Sequence, residues 1–313
     1  MRRTIGFCIA SLCLGGVVQA EIPFPLFDYL QGKSCSMVAY TPTGLDPRLP
    51  GNNVTHPTSE LEADLKALRP VFDGLVLYGY HEASTPRIVA LAHKLKFRAV
   101  ILGIWQPKSA DEVDGVAALV SQFHDKLALG VLIGNEGIHF GRYEPQDLTL
   151  ARERLLPQIP DTVPYSTSEP HVQYQKEFLR SFGHFLAPNI HPVFDQPDLE
   201  PEDAASWARE RAVDLAKQTG KPVVLKETGF PHDGKDNFTP KTQREFWQAY
   251  SSKRHVTIGD TWVSFAVAFE AFDLPWKSEA SGLPIEKAWG FFSKDRVAYP
   301  VVDVWKQAST ERN

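Results

Sequence analysis

Short apolar runs alternate with amphipathic stretches along almost the whole chain, from residue 35 to residue 305. Strands that are apolar throughout their length are typical of a parallel sheet covered on both faces. The intervening stretches place their apolar residues at the spacing of a helix that buries one face. We predict eight strands, at 35–40, 74–78, 97–104, 127–133, 162–167, 185–190, 223–226 and 262–269.

Helix signals separate these runs. Ser59–Glu62 and Ser109–Glu112 have the form of capping boxes, and Gly220 follows a predicted helix at Pro201–Thr219 as its stop signal. Eight strands separated mostly by helices in 313 residues predict an α/β fold, a single (β/α)8 TIM barrel. An open doubly wound sheet is the alternative, but Tyr40–Gly44, after the first strand, is not the Gly-rich turn that such a sheet most often carries.

The first 20 residues have the pattern of a secretory signal peptide. Two arginines precede a largely apolar segment at 5–18, and small residues lead up to Ala20. We predict cleavage after Ala20, a catalytic domain at 21–313, and a secreted or periplasmic location. A retained N-terminal anchor is the alternative, but the apolar run is short for a membrane span. Cys35 is then the one cysteine left, and we expect it to be a buried strand residue rather than a nucleophile.

Composition excludes several classes of protein. Hydrophobic residues make up 43% of the chain, too many for a disordered segment, and 3 cysteines are too few for a disulfide scaffold. A net charge of −5 does not suggest a nucleic-acid binder. Because zinc-ligand spacing, a phosphate loop and a nucleophile elbow are all missing, we expect no metal and no cofactor. We also expect a monomer without a membrane span in the mature chain.

Two glutamates, Glu136 and Glu227, directly follow predicted strands in matching contexts. In a barrel of this kind, chemistry is built from residues at the C-terminal ends of the strands. The two acids lie three βα units apart, at roughly 30 residues per unit, so both should point into one cavity from opposite sides. Retaining glycoside hydrolysis needs such a pair about 5–5.5 Å apart, one protonated and the other ionised. The alternative is that each acid is a salt-bridged structural residue.

Several motifs in order along the chain resemble glycoside hydrolase family 17, the β-1,3-glucanases and their bacterial transglycosylase relatives. Gly134–Glu136 resembles the acid/base motif of that family, and Glu227–Pro231 resembles its nucleophile motif. Asn189–Phe194 is similar to its sixth-strand motif, and Phe269–Asp273 with Trp276–Lys277 is similar to its eighth-strand signature. The resemblance covers nearly the whole chain after the predicted signal peptide.

The resemblance implies roles for five residues. Glu136 is the general acid/base, Glu227 is the nucleophile, and Asn135 binds the sugar 2-hydroxyl. Lys277 and Glu286 lie near the nucleophile and help to fix its charge. The implied enzyme is a retaining endo-β-1,3-glucanase that works through a covalent glucosyl-enzyme, with β-glucan as its partner. A β-1,3-glucanosyltransferase that uses the same glutamates is the first alternative, and a non-catalytic glucan-binding barrel is the second.

Further candidate substrate contacts lie at or just after predicted strand ends, where aromatic rings can stack on sugars and carboxylates can bind hydroxyls. They are Tyr40, Tyr78, Glu169, Phe194, Glu270 and Trp276. Glu169 either binds a hydroxyl or pairs with His171. Trp105 and Trp289 either stack on substrate or belong to the core. We expect His191 to be a satisfied strand histidine rather than a member of the proton network.

Overall fold

The computed structural model describes residues 24–46, 48 and 56–310, and the barrel is built from them. The predicted signal peptide at residues 1–20 lies outside the described residues. Within the described ranges, none of the helices combines the length and the apolar character that crossing a bilayer requires.

The strands are short and mostly buried. Those in the described residues are β1 (Met37–Ala39), β2 (Gly74–Val76), β3 (Ala99–Ile104), β4 (Ala128–Asn135), β5 (Tyr165–Ser168), β6 (Val223–Val224), β7 (His255–Ile258), β8 (Thr261–Ser264) and β9 (Val267–Ala268). Six of these strands form one sheet in the order β5-β4-β3-β2-β1-β9. Every neighbouring pair in this sheet is parallel, as the apolar runs predicted.

The barrel closes through the segment 185–190, β6 and β8. Asn189 forms parallel bridges with Pro170, just after β5, and with Glu227, just after β6. β6 then pairs in parallel with β8, and β9 returns to β1. Because β8 and β9 are two pieces of the predicted eighth strand, the prediction of a single (β/α)8 barrel is confirmed.

The predicted sixth strand makes isolated bridges instead of a continuous ladder. Leu186 pairs with Val223, and Asn189 pairs further along the segment. Pro188 lies between these two positions and has no N–H to donate, so the ladder is interrupted there. Its carbonyl still accepts a hydrogen bond from the N–H of Lys226 at 3.1 Å, which keeps the two segments aligned.

Helices connect the strands on the outside of the barrel. The α-helices of the described residues are α1 (Pro25–Gln31), α2 (Thr58–Leu68), α3 (Thr85–Lys94), α4 (Ala110–Phe123), α5 (Pro145–Leu155), α6 (Glu177–Ser181), α7 (Pro192–Asp195), α8 (Pro201–Thr219), α9 (Pro240–Tyr250), α10 (Pro275–Ser281) and α11 (Val301–Thr310). α8 has the bounds that the sequence predicted. Gly220 directly follows its last residue, and the φ of +66° there is the left-handed conformation that glycine adopts without strain.

The two predicted capping boxes have different outcomes. α2 begins at Thr58 without a side-chain cap, so the box at Ser59–Glu62 is wrong because those residues already lie inside the helix. At the start of α4, the Ser109 hydroxyl accepts from the N–H of Glu112 at 3.2 Å, as predicted. The Glu112 carboxylate turns away and accepts from the N–H of Gln106 at 2.5 Å, which ties α4 to the loop after β3.

Helix α1 closes the N-terminal end of the barrel. Its residues Leu26 and Leu30 belong to the same buried cluster as Met37 of β1 and Val76 of β2. Cys35 is part of this cluster and is buried, as predicted. Since this end of the barrel is filled with apolar side chains, the C-terminal end is where a cleft can form.

Candidate functional site

A cleft of about 1780 Å³ lies at the C-terminal end of the barrel. It is lined by residues that follow β1, β2, β3, β4, β6 and β9. The predicted site residues in this lining are Tyr78, Asn135, Glu136, Glu227, Trp276, Lys277 and Glu286. The two strand-end glutamates therefore share one cavity, as their sequence contexts predicted.

An irregular end of β4 presents Glu136 to the cleft. The register of β4 against β5 shifts between Leu132 and Asn135, and such bulges often redirect a side chain beside an active site. Gly134 has a φ of +82° and Glu136 a φ of +53°, a conformation that costs a residue other than glycine about 1–3 kcal/mol. A Cβ on Gly134 would also collide with the Tyr143 hydroxyl. The backbone thus requires a glycine two residues before Glu136.

Glu136 is half-buried, and the hydrogen-bond partners described here are neutral groups. Its backbone N–H donates to the carbonyl oxygen of Ser168 at 2.8 Å, which fixes the start of the loop after β4. Its side-chain Oε1 accepts from Nδ2 of Asn189 at 2.8 Å. These contacts hold the carboxyl group in place, and neither of them involves a cation.

Glu227 is buried between two basic side chains. Its Oε1 lies 2.5 Å from Nζ of Lys226, and its Oε2 lies 3.3 Å from Nε2 of His191. Burial alone would raise the pKa of the Glu227 carboxyl, but Lys226 and His191 outweigh burial and hold that pKa well below its usual range. The expectation that His191 is only a satisfied strand residue is wrong, because its ring contacts this carboxylate. Glu227 is accordingly ionised at neutral pH.

A chain of side-chain hydrogen bonds connects the two glutamates. Nδ2 of Asn189 contacts Glu136 and also donates to Oδ1 of Asn135 at 3.2 Å. The same Oδ1 accepts from Nζ of Lys226 at 2.6 Å, and that ammonium also binds Glu227. Because hydrogen bonds are stronger in a buried, low-dielectric site, the orientations of these five side chains depend on one another.

Lys226 and His191 are the basic side chains bonded to Glu227, whereas Lys277, which the family resemblance implied as a neighbour of the nucleophile, is bonded to a different carboxylate. Nζ of Lys277 lies 2.6 Å from Oε2 of Glu270, which is fully buried behind it. Burial raises the pKa of Glu270 to about 7, although Lys277 opposes the shift. Glu286 does line the cleft, and burial raises its pKa as well, with Glu227 contributing in the same direction.

Four expected substrate contacts lie outside the cleft lining of the described residues. They are Tyr40, Glu169, Phe194 and Glu270. The Tyr40 hydroxyl instead donates to Oδ2 of Asp64 at 2.9 Å, on the helix side of β1. Phe194 is on α7, where its ring lies 6.1 Å from that of Trp289.

Glu169 supports the loop that follows Glu136. One of its carboxylate oxygens accepts from the N–H of Ile138 at 2.9 Å, and the other accepts from the N–H of His139 at 3.1 Å. The side chain is fully buried, which excludes the expected sugar contact. His171 lies 3.6 Å from the carboxylate of Asp195 instead of forming the alternative pair with Glu169. Glu169 is a structural neighbour of the site rather than part of its surface.

The candidate aromatic platforms fall into two groups. Tyr78, Trp105 and Trp276 line the cleft, and the guanidinium of Arg142 lies 4.1 Å from the centre of the Trp105 ring. Trp289 is buried, with its ring 5.3 Å from that of His191. Of the two alternatives left open for these tryptophans, Trp105 takes the cleft position and Trp289 belongs to the core.

Sequence analysis did not identify Lys226 and Asn189 as parts of the site. Lys226 directly precedes Glu227, so a position next to a candidate nucleophile was the available signal. Asn189 opens one of the motifs that carried the family resemblance, but its contact with Glu136 joins residues more than fifty positions apart. The contact between Asn189 and Glu136 therefore does not follow from local sequence patterns.

The site can divide nucleophilic and proton-transfer work between two carboxyl groups. Glu227 is held as an anion, whereas Glu136 is held by a neutral amide. An arrangement of this kind suits acid/base-assisted displacement at a polarised carbon. Within residues 24–46, 48 and 56–310, no three His, Cys, Asp or Glu side chains are grouped so that they could hold a metal ion.

Comparison with family models gives one match over most of the chain. Residues 38–290 match the model of the BtgE/BtgC glycoside hydrolase domain. Among curated proteins, a glucan 1,3-β-glucosidase from Arthroderma benhamiae is 24% identical over 260 residues, covering 76% of this chain and 82% of that protein. A glucan 1,3-β-glucosidase from Saccharomyces cerevisiae is 21% identical over 271 residues, covering 77% of this chain and 84% of that protein.

Solved structures share the barrel. A glycoside hydrolase family 17 β-1,3-glucanosyltransferase from Rhizomucor miehei superposes with a TM-score of 0.65 and 18% identity, covering 87% of this chain and 98% of that one. CJP38, a β-1,3-glucanase and pollen allergen of Cryptomeria japonica, gives a TM-score of 0.65 with 14% identity, covering 86% and 98%. The resemblance that the sequence motifs indicated is confirmed by these matches.

Proposed function

The chain belongs to the family of BtgE/BtgC glycoside hydrolase domains, and from that premise we propose that it is a retaining enzyme that cleaves β-1,3-glucan. One observation carries the proposal. Glu136 and Glu227 face one cleft, but among the described residues the cationic side chains are bonded to Glu227 and not to Glu136. Double displacement requires this difference, because one carboxyl must donate a proton while the other attacks as an anion.

In the first step, a Glu227 oxygen forms a bond to the anomeric carbon while the bond from that carbon to the leaving oxygen breaks. Glu136 gives its proton to the leaving oxygen. In the second step, Glu136 takes a proton from the incoming hydroxyl, whose oxygen attacks the anomeric carbon. Glu227 then leaves as a carboxylate. Lys226 and His191 stabilise that carboxylate at the start and at the end of the cycle.

The size and lining of the cleft support a polymeric β-1,3-glucan as substrate. At about 1780 Å³ the cleft exceeds the about 300–1,000 Å³ that is usual for a small-molecule pocket. Tyr78, Trp105 and Trp276 supply aromatic surface for sugar rings. The relatives from Arthroderma benhamiae and Saccharomyces cerevisiae are glucan 1,3-β-glucosidases, which supports the choice of linkage.

Transfer to a second sugar is the other candidate outcome, and Phe140 favours it. Phe140 lines the cleft, is 66% exposed, and donates its N–H to the carbonyl oxygen of Glu136 at 3.0 Å. An exposed aromatic ring close to the acid/base residue suits stacking of an acceptor sugar. Water as the acceptor gives hydrolysis, and a sugar hydroxyl gives an elongated or branched glucan.

The test is mass spectrometry of laminari-oligosaccharides incubated with the protein. Shorter products alone identify a hydrolase, and longer products identify a transferase. Unchanged oligosaccharides under all conditions would overturn the proposal. Cellulo-oligosaccharides of equal length are the linkage control and should stay intact, and the Glu227→Gln variant is the control for contaminating activity.

We also propose that residues 1–20 are removed as a signal peptide during export. The pattern of charged, apolar and small residues supports this. N-terminal sequencing of the protein recovered outside the cytoplasm should begin at Glu21. Recovery of a chain that begins at Met1 would contradict cleavage.

A further inference from the structure

Lys226 is a buried cation that two-carboxylate chemistry does not by itself require. Its side chain retains 2% of its exposure. The ammonium lies 2.5 Å from Oε1 of Glu227, 2.6 Å from Oδ1 of Asn135, and 4.6 Å from the centre of the Tyr78 ring. Burial of an ammonium is costly unless its charge and its donors are matched. These three contacts supply that match and place the cation inside the site.

The contact with Asn135 determines which end of its amide faces the substrate. A lysine ammonium only donates hydrogen bonds, so the amide oxygen must face Lys226. Asn189 donates to the same Oδ1 at 3.2 Å, which supports the same orientation. The amide nitrogen of Asn135 is thereby directed away from both donors. Because Asn135 lines the cleft, its N–H group is the part offered to a sugar hydroxyl.

The contact with Glu227 restrains the carboxylate in the same way. Oε1 is bonded to Lys226, and Oε2 faces His191 at 3.3 Å. A carboxylate held through both oxygens cannot rotate freely about its last bond. In the second step, negative charge develops on these oxygens again as Glu227 departs, and donors that are already in place stabilise it without a reorganisation cost.

We propose that Lys226 is a positioning residue that orients both the Glu227 carboxylate toward the anomeric carbon and the Asn135 amide toward the neighbouring hydroxyl of the same sugar. The inference rests on the proposed function, since it concerns how the same site works. One ammonium thus aligns the nucleophile and a group that binds the sugar undergoing substitution.

The first test is the variant Lys226→Met, which keeps the length of the side chain and removes the charge and the donors. Loss of one preorganised donor costs about 10²–10³ in kcat, and we expect a decrease of this size in kcat with little change in KM. The acid limb of the pH profile of kcat/KM should move upward by at least about one pH unit, because an adjacent opposite charge is worth about 1–3 units. A merely structural role would not move that limb.

The groups that face Glu227 from the surrounding strands all remain in this variant. They are His191, Tyr78, Glu136, Glu270 and Glu286. Since none of them is changed, a shift of the acid limb reports the removal of Lys226. An unchanged acid limb in a folded, active Lys226→Met protein would overturn the contact with the nucleophile.

The second test uses an aryl β-laminaribioside and its analogue that lacks the 2-hydroxyl on the transferred sugar. If Lys226 acts through Asn135, the cost of Lys226→Met in kcat/KM should be at least about fivefold smaller on the deoxy substrate, equivalent to one hydrogen bond. Asn135→Ala should show the same dependence on the hydroxyl. Equal costs on both substrates would overturn the role of Lys226 in orienting Asn135.

Lys277→Met is the matched control, because it removes a lysine of the same cleft whose ammonium binds Glu270. It should shift the acid limb less than Lys226→Met and should cost the same on both substrates. Circular dichroism and thermal melting check that each variant is folded.

Asn135→Asp provides a test that does not depend on the folding of Lys226→Met. It keeps Lys226 and adds a carboxylate that competes for the same ammonium, so the acid limb should also move upward. No movement in this variant would contradict the shared contact. Failure of the proposed function is a separate result, since the wild-type protein itself would then leave laminari-oligosaccharides unchanged.

Discussion

Glu136 and Glu227 occupy equivalent positions, each just after a barrel strand, but their surroundings differ in charge and burial. Glu227 is 5% exposed and lies between an ammonium and an imidazole. Glu136 is half-buried, and its side chain is bonded to the amide of Asn189. The two positions share a strand-end geometry, so the difference in charge around them comes from their neighbours. This difference is what the proposed roles of acid/base and nucleophile require.

The largest expected effect is loss of the nucleophile. We predict that Glu227→Gln lowers kcat by about 10⁶-fold, as removal of a nucleophile does in a hydrolase, and abolishes the covalent intermediate. The measurement is turnover of an aryl β-laminaribioside together with intact-mass detection of a 2-fluoro-glucosyl adduct. Adduct formation or wild-type turnover in a folded Glu227→Gln protein would contradict the assignment. The proposed difference in role between Glu227 and Glu136 would then be wrong as well.

Loss of the acid/base residue should be smaller and should depend on the leaving group. Glu136→Gln is predicted to reduce kcat/KM on laminari-oligosaccharides by about 10²–10⁴-fold. Formation of the glucosyl-enzyme from a dinitrophenyl glycoside should change far less, because that leaving group needs no proton. Equal losses on both substrates would show that Glu136 does not act as the acid.

A moderate effect is expected at Glu169, which holds the loop after Glu136 through two backbone N–H groups. Glu169→Gln leaves one of those donors facing an amide N–H₂, which should lower stability by about 1–3 kcal/mol. We expect kcat/KM to fall by about tenfold because Glu136 is less well positioned. This decrease corresponds to an increase of about 1.4 kcal/mol in the activation free energy. Denaturant unfolding and kinetics measure the two effects, and the exposed Glu177→Gln on α6 is the control. If Glu169→Gln and Glu177→Gln had equal effects, Glu169 would not be needed to hold the loop after Glu136.

The smallest expected effect is at Tyr78, a neighbour of Glu227. Tyr78→Phe should reduce kcat/KM by about fivefold, roughly 1 kcal/mol for one hydroxyl, and should leave the melting temperature almost unchanged. The matched variant is Tyr40→Phe, which removes a buried bond to Asp64. It should lower stability by about 1.5–3 kcal/mol and leave kcat/KM within about twofold. If Tyr40→Phe lowered kcat/KM and Tyr78→Phe lowered only stability, Tyr40 and not Tyr78 would be the neighbour of Glu227.

These two tyrosines also show what sequence can and cannot predict. Each follows a barrel strand, and the sequence gives no reason to separate them. The register of β1 against β2 pairs Val38 with Leu75 and therefore aligns Tyr40 with Leu77, on the helix side of the sheet. Tyr78 falls on the opposite face and lines the cleft. Since side chains alternate between faces, a difference of one residue in position decides which tyrosine lines the cleft.

The barrel itself was predictable because continuous apolar runs mark its central strands. β3 and β4 lie within or close to the runs at 97–104 and 127–133. β7 was missed because its residues are mostly half-buried and include polar side chains, so it does not form an apolar run. It pairs with β8 as an antiparallel strand outside the barrel order.

The two catalytic candidates were predictable from their strand-end positions, but the ion pairs around them were not. The family resemblance implied Lys277 as the cation near Glu227, and Lys226 was not identified. The structure separates them because Glu270 binds Lys277, whereas Lys226 bridges to Asn135. Pairings of this kind depend on which strands become neighbours when the barrel closes, and that information is not local.

The buried cation beside Glu227 has a consequence for protein engineering. In a Glu227→Gly variant, the ammonium of Lys226 and the imidazole of His191 would face the space that the carboxylate had filled. Such a space is an anion receptor, and formate or azide would restore the missing negative charge there. Fluoride leaving an α-glucosyl fluoride would depart toward the same two donors. A chain without its nucleophile would then be suited to joining glucose units, which is the property sought in a glycosynthase.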